Sequence, residues 1–316
     1  MLVKSLRSSL RRRVEERLDK AAQAYLGDRG MEKVDFSRPA GEAALVAPDS
    51  VSWRIFKNPV TLFIGGVAAV ILELAEPRVR TGVWDNTSFR SDPVTRLKRT
   101  GLAAMVTVYG PRSVAAAMIA RVNALHRSIA GVTPGGRPYR ASDPALLTWV
   151  QATAAYGFLE AYSAYAEELS DDERDRYYSE GATAAALYGA VHAPDSLAAQ
   201  RDLFAATLPQ LERSEIVFEF LRIMKKAAAF PQPAQIAQRS LVRAAVEITP
   251  GNVRDILGLD ARHGLRPLEG RAVRRLARRA DRLVLRSGPA SQACRRLGLP
   301  DDYLYRTGPP REFRGG

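Results

Sequence analysis

Helical periodicity runs through most of this 316-residue sequence and limits the fold more than any other feature. Apolar residues recur at intervals of three and four, alanine is abundant, and alternating β-branched runs are almost absent. The pattern predicts an all-α protein with a single large helical domain and a globin-like or bundle-like core. Helices are expected over 5–26, 59–75, 92–108, 112–130, 143–168, 171–189, 195–206, 211–228, 233–246, 251–257 and 269–285.

The chain divides most simply into three parts. Residues 1–52 are predicted to form a basic helix and an irregular leader, 53–230 the main helical domain, and 231–316 a basic helical extension packed on that domain. The boundary is placed at Phe230-Pro-Gln-Pro233 because proline interrupts helices. A second break, 131–138, contains three glycines and two prolines and is predicted to be a loop.

The net charge of +13 is concentrated at the two ends of the chain. Residues 1–20 carry seven Lys or Arg against three acids, and 260–316 carry fourteen against six. The sequence between them is almost neutral, so the main body is not predicted to bind nucleic acid. The basic ends suit peripheral contact with an anionic membrane surface.

The basic segment 271–286 (RAVRRLARRADRLVLR) allows two interpretations. Its apolar residues fall on roughly one side of a helix with arginines elsewhere, a pattern that suits a membrane surface. The same pattern describes a solvated helix that packs by its leucines onto the body, and this interpretation is favoured. The apolar residues concerned are Val273, Leu276, Ala280, Leu283 and Leu285.

Three features predict a cytoplasmic protein. The longest apolar run, Pro59 to Ala75, is broken by two glycines and is shorter than the ~20 residues that a membrane span needs, so it is predicted to be a buried helix. The single cysteine, Cys294, can form no intramolecular disulfide, which fits a reducing compartment. The basic N-terminus lacks the uninterrupted apolar core of a secretory signal.

Among the three histidines, His126 is the candidate functional residue. It lies in a segment without Gly or Pro, RSVAAAMIARVNALHRSIA, on the same helical stripe as Met118 and Val122. Its side chain is therefore predicted to point into the interior, either as a core residue or as a metal ligand. His192 and His263 stand in turn-like sequence and are expected to be exposed.

A polar group precedes this helix. Arg96, Arg99 and Thr100 stand at i, i+3 and i+4, so one helical face can present all three. The alternative for the two arginines is surface salt bridging. A di-iron carboxylate site is not predicted, because such sites use paired Glu-x-x-His motifs and no histidine here has Glu three residues before it.

Several short motifs follow one another in a fixed order. After the glycine pair at 65–66 come ELAEPRVRTGVWDNTSFRSDPVTRLKRT, VYG, LHRSIAG, GRPYRASDPALLTWVQAT and LSDDERDRYYSE. In this order they resemble the MpaB and latex-clearing-protein (rubber oxygenase) family, α-helical oxygenases of which some bind haem b. The resemblance covers about 55–230.

The resemblance implies a haem-b-dependent oxygenase that uses dioxygen and an apolar, unsaturated, isoprenoid-like substrate. His126 is similar to the proximal iron ligand, with its second ring nitrogen held by a hydrogen-bond acceptor. Arg96, Arg99 and Thr100 resemble the polar cluster on the oxygen-binding side. The apolar residues expected to line the cavity are Phe89, Leu102, Val106 and Trp149.

The sequence also departs from the family pattern. Many members have histidine where this chain has Glu76, Asn86 and Gln151. Asp85 remains as a catalytic carboxylate candidate that could relay protons, or as the cap of a turn. The departures leave open a non-catalytic haem- or lipid-binding protein, and a helical interaction protein in which His126 is only a core residue.

Overall fold

The computed structural model describes Asp19, residues 33–230 and residues 234–306. Within those ranges there are thirteen α-helices and one two-stranded antiparallel sheet, which confirms the all-α prediction. The predicted helix 5–26 lies outside the described residues, apart from Asp19. The elements are α1 (Val51–Phe56), α2 (Pro59–Glu73), α3 (Pro77–Asn86), α4 (Pro93–Tyr109), α5 (Arg112–Ser128), β1 (Ala130–Val132), β2 (Pro138–Arg140), α6 (Pro144–Tyr165), α7 (Asp171–Leu187), α8 (Leu197–Thr207), α9 (Glu215–Lys226), α10 (Gln238–Ile248), α11 (Gly251–Leu257), α12 (Glu269–Ala280) and α13 (Pro289–Arg296).

Helices α2 and α6 form the central pair, and each begins with a capping residue followed by proline. Asn58 Oδ1 accepts from the backbone N–H groups of Val60 and Thr61 at 3.1 and 3.2 Å. Asp143 accepts from the Ala145 N–H at 2.8 Å. Proline fits the first helical turn because its missing N–H would have no partner there. The predicted buried helix over 59–75 is therefore confirmed, ending at Glu73.

The two central helices cross at glycines. A Cβ added to Gly65 would lie 2.7 Å from the carbonyl oxygen of Gly157. Only residues without a side chain allow backbones to approach so closely. Residues beside the crossing, among them Ile64 and Leu159, are fully buried, so the crossing lies in the core.

The C-terminal helices pack onto the central pair rather than extending from it. Helices α10 and α12 both contact α2 and α6. Asn58 Nδ2 donates to the Ala277 carbonyl at 3.0 Å, and Lys57 Nζ lies 3.1 Å from an Asp281 carboxylate oxygen. The start of α2 is thus bonded to the end of α12.

A buried arginine joins three distant segments. Arg296 at the end of α13 is 2% exposed and donates to the carbonyls of Phe36, Glu42 and Tyr109 at 2.6, 2.7 and 2.8 Å. These bonds hold the irregular segment 33–50 against the end of α4. Each carbonyl would otherwise be left without a donor.

The structure corrects the predicted loop after α5. The two ends of the predicted loop 131–138 belong to β1 and β2, which pair as a hairpin with Gly131 opposite Tyr139. A Cβ on Gly131 would lie 2.8 Å from the Tyr139 hydroxyl, so this glycine allows the buried ring to lie against the backbone. The turn between the strands remains rich in Gly and Pro, as the sequence predicts.

No single helix among the described residues combines the length and the apolar character needed to cross a membrane. Helices α2 and α3 meet the criterion only when taken together, and they are bent by 115° relative to each other.

Candidate functional site

Helix α5 positions His126 on a stripe that the rest of the protein covers only in part. Of its own residues, α5 buries Ala115 and Ile119. Met118, Val122 and His126, which share the predicted stripe, are half-buried. His126 is therefore less deeply placed than the sequence predicts, because α5 packs mainly against α4 and α7 and is open on another side.

The chemistry of His126 suits a metal ligand. Its Nδ1 atom is buried and has no hydrogen-bond partner in the described structure. Burial, followed by the nearby positive charge of Arg96, lowers the pKa of the imidazole. The ring is thus neutral at physiological pH, the form that donates a lone pair to a metal. The predicted hydrogen-bond acceptor for the ring nitrogen that does not bind metal is absent if that nitrogen is Nδ1.

The other two histidines lie apart from this position. His192 is exposed, as predicted. His263 was expected to be exposed as well, but only 26% of its side chain is accessible. Its Nδ1 lies 3.1 Å from an Asp260 carboxylate oxygen, and its ring packs against Phe218.

Arg96 lies on the first turns of α4, which begins where Asp92 accepts from the Thr95 N–H at 3.2 Å. The Arg96 guanidinium lies 5.3 Å above the centre of the Phe89 ring. Burial lowers the pKa of Arg96, the charge of Glu73 opposes that effect, and Arg99 adds to it. Arg96 remains a cation in this setting because the guanidinium is such a strong base.

The structure brings together two of the three predicted polar residues. Thr100 Oγ1 accepts a hydrogen bond from Arg96 Nη1 and donates to the Arg96 carbonyl at 3.0 Å. Arg99 is exposed. Neither arginine forms an ion pair with a described residue, so the salt-bridge alternative does not account for them.

Glu73 is a candidate site residue that was not predicted from the sequence. It ends α2 and is half-buried. Burial raises its pKa to about 7, although the charge of Arg96 opposes the rise. The positive charge of Arg96 acts on the pKa of both Glu73 and His126. The site therefore combines an acid, a fixed cation and a neutral base. The only sequence signal was an acid closing an apolar helix.

Asp85, the predicted catalytic carboxylate, differs from Glu73 in its exposure to solvent. It is exposed on the last turn of α3. Asp85 lies within α3, whose N-cap is Glu76 and whose C-cap is Thr87, so it does not cap this helix. Its predicted role in proton relay remains a prediction.

The three positions that carry histidine in many relatives have different surroundings here. Glu76 is 1% exposed and accepts from the Val79 N–H at 2.8 Å and from Arg78 Nε at 2.7 Å. This carboxylate therefore stabilises the start of α3. Asn86 is exposed and donates to the Gly82 carbonyl, and Gln151 is half-buried on α6.

The predicted cavity residues divide into two groups. Phe89 is buried beneath Arg96 and packs edge-on against Phe220, with 5.5 Å between ring centres. Trp149 packs against Phe204 in a different aromatic contact, at 5.0 Å. Val106 is 1% exposed and Leu102 is half-buried. Phe89 is thus the member of this set that the structure joins directly to the polar site.

The described residues contain no group of three or more His, Cys, Asp or Glu side chains placed to hold a metal ion. A non-haem iron centre with three protein ligands is therefore not formed there. His126 could supply one protein ligand to the metal of a cofactor that brings its other donors with it.

One family comparison matches this architecture. The family model described as "ER-bound oxygenase mpaB/B'/Rubber oxygenase, catalytic domain" matches residues 53–282. The match includes His126, Arg96 and Glu73, and it continues beyond the predicted boundary at 230 to just past the end of α12. No curated protein and no solved structure matches the chain.

Proposed function

The chain belongs to the mpaB and rubber oxygenase family, and on that premise we propose that it is a haem-b-dependent oxygenase acting on an apolar, unsaturated substrate. The family supports the class of oxidoreductase. The observation that carries the haem assignment is the neutral imidazole of His126, whose buried Nδ1 has no partner. When bound, haem supplies a redox-active iron for chemistry with dioxygen.

In this proposal His126 holds the iron, and the half-buried apolar side chains around it contact the cofactor. Met118 and Val122 precede His126 on the same stripe of α5. Their partial burial leaves apolar surface whose removal from water by a bound ligand is favourable.

Arg96 provides a fixed positive charge beside the cofactor. Its position is set by the Phe89 ring and by its hydrogen bond to Thr100. A cation held in place before the reaction stabilises negative charge that develops on the substrate or oxidant. Arg99 is exposed and adds to the positive potential only from a distance.

Glu73 is the proton donor or acceptor in the proposed reaction. With a pKa of about 7, its carboxyl can both bind and release a proton near neutral pH, which is the property required of a general acid or base. The exposed Asp85 has no comparable setting. Glu73 therefore takes the role that the sequence analysis gave to Asp85.

The substrate class is carried over from the family, whose description names a rubber oxygenase. Half-buried apolar side chains on α4, including Leu102 and Met105, would contact such a molecule beside Arg96. An apolar surface selects by shape and hydrophobicity, so a range of unsaturated lipids is the appropriate substrate panel.

The test is incorporation of labelled oxygen from dioxygen into isoprenoid and unsaturated lipid substrates, measured by mass spectrometry on haem-loaded protein. Arg96→Gln should lower the rate at least 10-fold if the cation stabilises developing charge. Arg99→Gln, which removes an exposed charge three residues away, is the matched control and should have a much smaller effect. Equal rates for the parent and Arg96→Gln would refute the assigned role.

The alternative is a haem- or lipid-binding protein without turnover, favoured by the loss of the family histidines. Glu76 shows what one such replacement does, because its carboxylate now caps α3. This alternative predicts bound haem but no labelled product with any substrate on the panel.

A further inference from the structure

Helix α12 presents most of its surface to solvent, and that surface is basic. The helix buries Val273 and Ala277. The helix is solvated and packs onto the body, as the favoured interpretation predicts, but it does so through Val273 and Ala277, whereas Leu276 stays 37% exposed. The helix also ends at Ala280 rather than at 285. The exposed arginines are Arg271, Arg274, Arg275, Arg278 and Arg279.

The acids on and beside α12 do not neutralise these arginines. Glu269 pairs with Arg243 at 2.7 Å on α10, and Asp281 pairs with Lys57 at 3.1 Å at the start of α2. None of the five exposed arginines forms an ion pair with any residue that the structure describes. Their charge is therefore available to an anionic partner.

Leu268, directly before the helix, is an unusual apolar residue. Leu268 is 71% exposed, and its backbone φ angle is 72°. A left-handed conformation is unfavourable for leucine, because its Cβ approaches the backbone too closely. The chain thus holds a large apolar side chain in water through a strained backbone, at the start of the basic helix.

A surface cavity of about 490 Å³ opens next to Leu268. Arg266, Arg271 and Arg274 contribute to its lining, together with the apolar Leu265 and the single acid Glu247. Arginines around a recess that has apolar walls suit the phosphate and glycerol region of a phospholipid.

We propose that α12 and Leu268 form a docking surface for the anionic face of a lipid bilayer, with Leu268 inserted between headgroups. Unpaired arginines supply the attraction, and the apolar Leu268 and Leu276 distinguish a bilayer from nucleic acid, which offers no apolar phase. This inference stands on the surface of α12 alone and is independent of the proposed oxygenase activity.

The first test is sedimentation of the full chain with phosphatidylcholine vesicles, with and without phosphatidylserine, at low and high salt. Binding should require phosphatidylserine and should weaken as salt rises. The triple variant Arg271→Gln, Arg274→Gln and Arg275→Gln should have a partition coefficient about 100-fold lower than the parent. The three arginines are expected to contribute similar amounts to the free energy of binding an anionic surface.

The matched control removes the same number of exposed arginines from other elements: Arg112→Gln, Arg201→Gln and Arg222→Gln. This variant has the same net charge as the first and should bind nearly as well as the parent. Equal losses in the two variants would refute a localised surface. Parent-like binding by the α12 variant would overturn the proposal as well.

Leu268→Gly separates insertion from simple charge attraction. Glycine adopts positive φ without strain, so the folded protein should be at least as stable as the parent while vesicle binding falls about 10-fold. If the arginines bind duplex DNA more tightly than vesicles and Leu268→Gly binds both ligands like the parent, the surface is a nucleic-acid site and the proposal fails.

Insertion can also be observed directly, because the only cysteine, Cys294, is 1% exposed. A polarity-sensitive fluorophore on Leu268→Cys should shift to the blue with phosphatidylserine vesicles. The same label on Val191→Cys, which replaces a residue that is 62% exposed on another part of the protein, should not shift. An unchanged spectrum at position 268 would contradict insertion.

Discussion

The crossing of α2 and α6 and the stripe of α5 are built in opposite ways. At the crossing, Gly65 and Gly157 bring two backbones into contact among fully buried side chains. Along α5, apolar side chains are half-buried, and the buried Nδ1 of His126 has no partner. The first region is closely packed throughout, whereas the second leaves apolar side chains partly exposed beside an unpartnered polar atom.

The largest expected effect is at the crossing. Gly65→Ala places a Cβ 2.7 Å from the Gly157 carbonyl oxygen and 2.8 Å from Phe158 Cα, and neither backbone atom can move without displacing a helix. Urea unfolding should show a loss of about 3 kcal/mol.

The neighbouring glycine is the control for that change. A Cβ on Gly66 meets only a Phe158 ring carbon at 3.9 Å. Gly66→Ala should therefore be neutral or stabilising by up to about 1 kcal/mol, because alanine favours the helix. Equal stability of the two variants would show that the crossing is not closely packed.

An intermediate effect is expected at Glu73. Its pKa is raised from 4.5 to about 7 in the folded protein, so the folded state binds the proton more tightly than the unfolded state. The stabilisation is complete below pH 4.5 and is lost as the pH rises through 7. Glu73→Gln should reduce the stability difference between pH 5 and pH 8 by about 2 kcal/mol.

Urea unfolding at the two pH values checks this expectation. His126 titrates in both proteins, so its contribution cancels when the variant is compared with the parent. If the parent and Glu73→Gln lose the same stability between pH 5 and pH 8, then Glu73 does not hold a proton at neutral pH.

The smallest effect on stability is expected at His126 itself. Because its buried Nδ1 has no partner, His126→Ala leaves no new unsatisfied group in the protein without haem. Its unfolding free energy should change by less than about 1 kcal/mol, against about 2–5 kcal/mol for Ile64→Ala in the core. A loss at His126 as large as that at Ile64 would make it a structural core residue.

The sequence located ten of the thirteen described α-helices and missed α1, α3 and α13. Periodicity and capping residues locate α2 and α6, whose starts at Asn58-Pro59 and Asp143-Pro144 follow from local chemistry. Helices α1, α3 and α13, of six, ten and eight residues, were not predicted, whereas the seven-residue α11 was predicted with its observed bounds. The β1–β2 hairpin depends on the Tyr139 ring covering Gly131, which no local pattern encodes.

His126 and Arg96 were candidate site residues from the sequence, and they stay predictions, whereas Glu73 was proposed only from the structure. The spacing of Arg96, Arg99 and Thr100 allows one shared face, yet only packing decides that Arg96 lies over Phe89 while Arg99 is exposed. Glu73 is linked to Arg96 by the effect of its charge, although α2 and α4 are separated by a complete helix in the sequence. Such an interaction is a property of the fold.

The central claim is that His126 holds haem, and an absorption spectrum of protein produced with haem precursor tests it most directly. The parent and His192→Ala, which alters an exposed histidine, should both show a Soret band, and His126→Ala should lose it or show it strongly shifted. A parent that is colourless and does not bind added hemin, or a His126→Ala variant with an unchanged Soret band, would contradict the account.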